Sequence, residues 1–280
     1  WTPDPSTLAY LRYSRGYKSG GFSTYTIGAS PETQPEFVDA FEVGGKKTVG
    51  DSLVVNAAAF YYHYTNDQVP LTVQNAQGLL VPVIYNLPLV HTYGFELEAA
   101  WHPIKPLTFN LAYAFLSAKI ANAGGCIEDT TDPLALQPGA NTAGCIQTSP
   151  TAIVQNINGQ WLPEAPHNKL AFNALYTLDF EPGNLTLSGS VIWKDVTYDD
   201  VFNRWFTKQP AYTLVNLRAT WIDAKNRFNI ILYCNNVFNA IGYDAAAGAL
   251  LLQGPPEDIA ASYDLTPPRT YGAELEVRFR

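Results

Sequence analysis

The side chains that most often carry out chemistry are sparse in this chain. It has four histidines, His63, His91, His102 and His167, and three cysteines, Cys126, Cys145 and Cys234. No histidine stands in an H-E-x-x-H pattern or beside cysteines at metal-ligand spacing, so neither a metal site nor a cofactor is expected. A G-x-S-x-G nucleophile turn and a phosphate-cradling glycine loop are likewise missing from the sequence. The histidines read as surface or rim polar residues, His102 next to a short turn and His91 next to a long link. The charged residues are more informative. Arg12, Glu42, Lys46, Glu96, Glu98, Lys194, Arg218, Glu274, Glu276 and Arg278 all sit within runs of alternating apolar residues. Ions of both signs in such places can contact a packed domain or a polar ligand, but their plainest use is to pair across strands and solvate a wall.

The runs that position these charges share one period. LTFNLAYAF puts Leu107, Phe109, Leu111, Tyr113 and Phe115 on one face. YGFELEAAW does the same with Tyr93, Phe95, Leu97, Ala99 and Trp101, and TYGAELEVRF with Tyr271, Ala273, Leu275, Val277 and Phe279. Period two is the signature of a β-strand with two different faces. Less regular runs at 8–15, 37–48, 53–64, 169–178, 185–194, 212–221 and 228–236 bring the expectation to ten strands. The run at 53–64 is apolar on both sides, and its orientation stays open. Short connections rich in Gly, Pro, Asp and Asn fall at 49–52, 103–106, 181–184 and 223–226, as tight hairpin turns require. Longer ones fall at 16–35, 66–90, 121–164, 199–210 and 240–267. From the first strand onward they alternate long and short, which predicts an up-and-down antiparallel sheet with tight turns at one end and long loops at the other.

Composition narrows the setting. A net charge of -8 argues against nucleic acid, whose phosphates demand clustered Lys and Arg. No run approaches the roughly 20 apolar residues of a membrane helix, and the mean hydropathy is -0.07. The chain contains no methionine, and it reads as a processed product or an excised piece. A soluble β-sandwich also alternates, but its strands average about 5–6 residues. Those expected here run to about 9–12, the length of a tilted strand crossing a bilayer. Aromatics gather near strand ends (Trp1 and Tyr17, Tyr93 and Trp101, Tyr212 and Trp221, Tyr271 and Phe279), as in the girdles that flank a lipid-facing band. The pattern favours an outer-membrane β-barrel over a soluble β protein.

Several motifs carry a family resemblance. YLRYSRGYKSGGF, residues 10–22, resembles a mid-barrel stretch of TonB-dependent outer-membrane receptors: a strand, a Ser-x-Gly-Tyr/Phe-Lys junction and a Gly-rich loop. PEFVDAFEVGGKKTV resembles the next strand, with Glu42, Gly44 and Lys46 in an aromatic-Glu-x-Gly-x-Lys core. LVVNAAAFYYHYTND is similar to the strand after it. YCNNVFNAIGY resembles the penultimate-strand element through Asn236, Val237, Phe238, Asn239 and Tyr243. PPRTYGAELEVRFR resembles the terminal strand through Pro268, Arg269, Tyr271, Gly272 and Phe279, although Arg280 follows the aromatic with which the family usually ends.

The resemblance implies a 22-stranded barrel around an N-terminal plug, of which residues 1–280 supply a single partial domain of about ten C-terminal strands, an open curved sheet if taken alone. Plug and TonB box are then missing from this stretch. The implied function is energy-coupled uptake of a ferric siderophore or similar large substrate across the outer membrane of a Gram-negative bacterium. The implied partners are outer-membrane lipid, the plug and TonB. The rival reading is a complete ten-stranded outer-membrane enzyme such as an omptin-like protease, which requires an acid/His pair in the upper lumen. Aromatic and basic residues suited to an anionic, partly aromatic iron chelate are expected in the loops and upper lumen: Arg15, Tyr17, Lys18, Tyr25, Trp161, Tyr198, Phe202, Trp205 and Tyr243. Cys126 and Cys145 fall in one external loop. A protein that folds after an oxidising periplasm is expected to bridge them, and closing about 20 residues would contribute roughly 3 kcal/mol. Cys234, beside Ile230 and Leu232, reads as a small hydrophobe.

Overall fold

The computed structural model describes residues 1–22, 32–74, 80–130, 140–147, 153–250 and 259–279. Its main feature is one ten-stranded antiparallel sheet in which every strand pairs with its neighbours in sequence order. The strands are β1 (Thr7–Lys18), β2 (Glu36–Val49), β3 (Leu53–Gln74), β4 (Leu80–Ile104), β5 (Leu107–Asn122), β6 (Asn168–Phe180), β7 (Gly183–Lys194), β8 (Tyr212–Asp223), β9 (Phe228–Asn235) and β10 (Thr270–Val277). β1 and β10 are its two edges. All ten expected strands are present.

Turn chemistry explains the short end. After β2, Gly50 takes a positive φ of 55°, which a glycine adopts without strain. After β8, Asn226 adopts φ 53°. There the Asp223 carboxylate accepts hydrogen bonds from the backbone N–H groups of Arg227 and Phe228, an Asx-type closure.

Register assigns the two faces. On the outer face Leu11 is opposite Val43, Val43 opposite Ala59, Ala59 opposite Phe95, and Phe95 opposite Phe115. Farther along, Leu217 lies opposite Cys234, and Leu232 opposite Ala273. These side chains are open to their surroundings: Leu11 is 83% exposed and Leu275 66%. On the inner face Arg12 is opposite Glu42, while Glu96, Ala114, Lys169, Lys194 and Tyr212 form one row. Cavities of about 450 and 310 Å³ open on this face, the first lined by Glu96, Glu98, Lys169, Lys194 and Tyr212 and the second by Tyr10, Lys46, Asn56 and Glu98. The charged face is therefore the concave one. The undecided strand is also resolved: Val55, Ala57 and Ala59 of β3 point outward, and Asn56, Ala58 and Phe60 inward. Tyr212 belongs to the inner row, so it is not part of an outer girdle.

The expected loop at 66–90 is corrected. β3 and β4 are 22 and 25 residues long, and they stay paired from Asp67 opposite Leu87 to Gln74 opposite Leu80. β2 leaves β3 at Thr65, and β5 leaves β4 at Leu89. Above that level the hairpin is a two-stranded ribbon with no third strand of the main sheet beside it, so proline there removes no hydrogen bond to an adjacent main-sheet strand. At about 3.3 Å per residue it extends roughly 26 Å past the sheet.

The buried apolar cluster lies on this long-loop side. Val69, Leu71, Val83 and Leu87 of the ribbon and Val90 just below it pack with Ile120, Ala123, Ile127, Ile157, Val201 and Phe202. A soluble sheet would bury its apolar face, but here the outer apolar face lies bare and the core sits above it. If that face lies in lipid, Leu97→Arg on the outer side of β4, midway between Tyr93 and Trp101, will cost about 2–4 kcal/mol. Glu98→Arg on the inner side will cost under about 1 kcal/mol, the usual range for an exposed polar site. Urea-dependent folding of the intact protein into lipid vesicles measures both, and equal costs would contradict the face assignment.

Candidate functional site

Inner-face aromatics lie across glycines of the adjacent strand. A Cβ on Gly44 would meet the Tyr10 ring at 2.5 Å and one on Gly272 the Tyr233 hydroxyl at 2.5 Å, while one on Gly94 would meet both the Phe115 carbonyl and, at 2.9 Å, the tip of Phe60. Each glycine thus leaves room for a ring laid flat on the wall, the aromatic rescue of a bare backbone position. The Tyr10 hydroxyl continues to Glu42, donating a hydrogen bond of 2.7 Å. Phe60 stacks on Tyr62 at 4.9 Å and Tyr62 meets Tyr64 edge-on at 6.5 Å, so an aromatic ladder climbs the inner side of β3 towards the loops.

Above the wall, two polar clusters bind the long loops together. The first is fully buried. Asp129 accepts a hydrogen bond from Gln155 at 2.6 Å and faces the Arg204 guanidinium at 3.6 Å. A buried ion is tolerated only when paired and hydrogen-bonded. In the second, Gln209 donates to Glu164 at 2.7 Å and to Asp199 at 2.5 Å, while Lys194 donates to Gln209 at 2.9 Å. The backbone N–H of Ala246 also donates to Asp199. Three loops (β5 to β6, β7 to β8 and β9 to β10) therefore meet through side-chain carboxylates and amides. The Cys126–Cys145 disulfide, with Cα atoms 5.8 Å apart, closes part of the first of these loops.

Three acids in this region are held above the usual carboxylate range. Burial, reinforced by Asp199, pushes Glu164 to about 7. Burial and nearby Asp129 push Asp200 to about 7. Burial and Glu36 push Asp67 on the projecting ribbon to about 6.

The expected site residues separate in space. Arg15 and Tyr17 are opposite Asp39 and Phe37 on the outer face, so strand alternation moves them out of the upper lumen. Lys18, opposite Glu36, stays on the inner side. Trp161 is anchored: its backbone N–H donates to Asn203 at 2.7 Å, and Lys119 sits 4.2 Å over its ring. Phe202 is 4% exposed within the apolar cluster, so it is core and unavailable to a ligand. Tyr198 is partly buried in a short ladder with Lys208, and Tyr243 packs edge-on against Tyr263 at 5.3 Å. Trp205, 48% exposed on a turn of 3-10 helix, is open to a ligand. Tyr25 lies outside the described residues. The polar clusters escaped the sequence reading because Asp129, Gln155, Glu164, Asp199, Arg204 and Gln209 share no spacing; only the fold brings them together.

A family model, TonB dependent receptor-like, beta-barrel, matches residues 1–237. The chain belongs to this family. Solved structures agree on the fold. The ferric yersiniabactin uptake receptor FyuA from Yersinia pestis superposes with a TM-score of 0.72 at 17% identity, covering 100% of this chain and 36% of its own. The siderophore receptor PiuA from Acinetobacter baumannii gives 0.66 at 18%, covering 98% and 34%. The copper transporter OprC gives 0.66 at 12%, covering 99% and 38%. The chain thus spans about a third of the length of these structures. No curated protein sequence matches it.

In this TonB-dependent receptor barrel of the outer membrane, the motif residues have local physical tasks. Asn236 is 3% exposed and takes φ 49°. Its side chain accepts from the Ala240 N–H at 2.8 Å and donates to the carbonyls of Ala240 and Pro267, at 2.8 and 3.3 Å. It fastens the start of the last long loop to its end. Arg269, after Pro268, donates its backbone N–H to Asn239 at 2.9 Å and its guanidinium to the Val237 carbonyl at 3.4 Å. Lys46 lies opposite Leu8 and Asn56 on the inner wall. Phe238 and Phe279 are 75% and 93% exposed.

The raised acids give the loop cap a signed pH dependence. Glu164 and Asp200 prefer the protonated form in the folded loops, so their contribution is fully present below about pH 4. It is lost as pH rises towards about 7, and little further change follows. Hydrogen exchange of the backbone amides at 197–209, corrected for intrinsic rates, should be slower at pH 5 than at pH 8. Asp200→Asn should weaken that difference, and an unchanged difference would mean that Asp200 has no part in it.

Proposed function

We propose that this chain forms about ten C-terminal barrel strands and the ligand-capturing loops of a receptor that takes up a ferric siderophore, or a metal chelate of similar size, across the outer membrane. The observation that carries this reading is the family match over residues 1–237. The loop-capped, charged concave wall supports it, because uptake through a barrel needs a wet interior and a capture surface at the outer end. FyuA is a ferric yersiniabactin uptake receptor, PiuA a siderophore receptor and OprC a copper transporter, so metal acquisition is the common theme.

In this reading the loops capture the chelate, a plug domain fills the lumen against the inner face, and TonB supplies the energy that moves the plug. Glu96, Glu98, Lys169 and Lys194 offer the plug both signs of charge. Trp205 and Lys18 are the most available members of the expected ligand set, one by exposure and the other by its inner-face register.

A barrel protease would need an acid/His pair in the upper lumen, and the histidine positions favour transport. His63 and His91 are on the outer face, His102 touches Thr108 beside the short turn after β4, and the His167 ring packs 3.4 Å from that of Trp161.

The test is growth of a strain lacking the receptor on single defined iron sources, with uptake of the radiolabelled ferric complex by the intact receptor. One complex should restore growth only in the presence of TonB. Trp205→Ala should weaken its binding roughly tenfold, as loss of an exposed aromatic anchor does, with barrel folding unchanged. Growth on every source without the receptor, or uptake independent of TonB, would refute the proposal.

A further inference from the structure

Directly above the outer aromatic row lies a second row of different chemistry. The aromatic row is Tyr13, Phe41, Tyr61 and Tyr93, one side chain from each of β1 to β4. Two residues nearer the loops, the same register aligns Arg15, Asp39, His63, His91 and Lys119, one from each of β1 to β5. Neighbouring strands lie about 4.8 Å apart, so the row spans roughly 19 Å of the barrel's exterior. Below it the outer face is apolar, with Leu11, Val43, Ala59 and Phe95 in the next tier.

The contacts show how the row is held. Asp39 is engaged from two sides, by the Tyr13 hydroxyl at 2.8 Å and by the Arg15 guanidinium at 3.7 Å. Arg15 lies 5.3 Å over the Phe37 ring, and its side chain remains 58% exposed. The His63 and His91 rings stand 5.3 Å apart, and Tyr61 flanks His91 at 5.7 Å. Lys119 is exposed and rests on Trp161. Aromatic faces thus steer both cations, and two imidazoles fill the space between them. The row ends at β5, because β6 begins only at Asn168, opposite Phe115 and below the level of Lys119.

In a chain of net charge -8, this row gathers two cations and two imidazole donors around a single carboxylate that is already occupied. Its level, just past the aromatic girdle of a lipid-facing wall, is where lipid headgroups lie. Guanidinium, ammonium and imidazole N–H groups side by side are donors suited to phosphate oxygens. We propose that this row is a binding site for the phosphate groups of an anionic outer-leaflet lipid, with Arg15 and Lys119 as the terminal cations and His63 and His91 donating between them. The inference rests on the outer-membrane setting of the barrel and is independent of which substrate the receptor carries.

The probe is diphosphoryl lipid A, titrated onto the detergent-solubilised intact receptor and counted by native mass spectrometry, with dephosphorylated lipid A and inorganic phosphate as the other arms. Diphosphoryl lipid A should bind, the dephosphorylated lipid should bind at least roughly tenfold more weakly, and millimolar inorganic phosphate should not compete. The pair Arg15→Gln and Lys119→Gln should weaken binding by roughly tenfold or more, the scale of lost charge-assisted hydrogen bonds. Asp39→Asn should strengthen it, an effect of opposite sign that general loss of folding cannot mimic. Equal binding of both lipids, full competition by free phosphate, or an unchanged affinity in the Gln pair would each overturn the proposal.

Discussion

A peptide group inside a hydrocarbon layer has no water to turn to, so its N–H and C=O must find partners within the protein. The rest of this structure follows from that constraint. Each of the eight interior strands is paired on both sides, which frees the outer side chains to be fully apolar without exposing backbone. The same pairing fixes register, and register decides chemistry: a slip of one residue would send Glu96 and Glu98 into lipid and Leu97 into the lumen. β1 and β10 keep one unpaired edge each, which a bilayer would not tolerate. The larger barrel proposed here supplies the missing partners for both.

Above the bilayer the constraint is lifted, and the architecture changes accordingly. β3 and β4 outgrow the sheet as a two-stranded ribbon and accept proline because no further strand of the main sheet needs their outward N–H groups. An apolar cluster forms there, Leu87 and Phe202 among its members, since apolar side chains in that region lose by staying in water. Buried charge becomes affordable only in linked sets, such as Asp129 with Gln155 and Arg204. The loop cap therefore behaves like a small soluble domain mounted on a membrane wall. Burial and neighbouring carboxylates there hold Glu164, Asp200 and Asp67 above the usual carboxylate range.

Much of the wall was legible in the sequence. Alternation in 93–101 and 107–115 gave strand, face and setting together, because a bilayer rewards apolar side chains at every second position. Turn residues such as Gly50 and Asn226 gave the short ends for the equally local reason that few residues tolerate positive φ. Legibility failed where context outweighs local preference. The stretch 66–90 reads as a loop, although β3 and β4 stay paired through it after the neighbouring strands have ended. Phe202 reads as a binding residue unless one knows that the ribbon covers it. The polar clusters were invisible because their members come from separate loops and meet only after folding.

The central claim is that one face of this sheet meets lipid and the other meets water. Single cysteines placed at positions 93 to 101 of the intact receptor, in a background without the free Cys234, test it directly in membranes. Cysteines at 94, 96, 98 and 100 should react with a water-soluble maleimide. Those at 95, 97 and 99 should resist it and instead be quenched, once labelled with a fluorophore, by nitroxides carried on lipid chains. Reactivity that does not alternate along this strand would contradict the account.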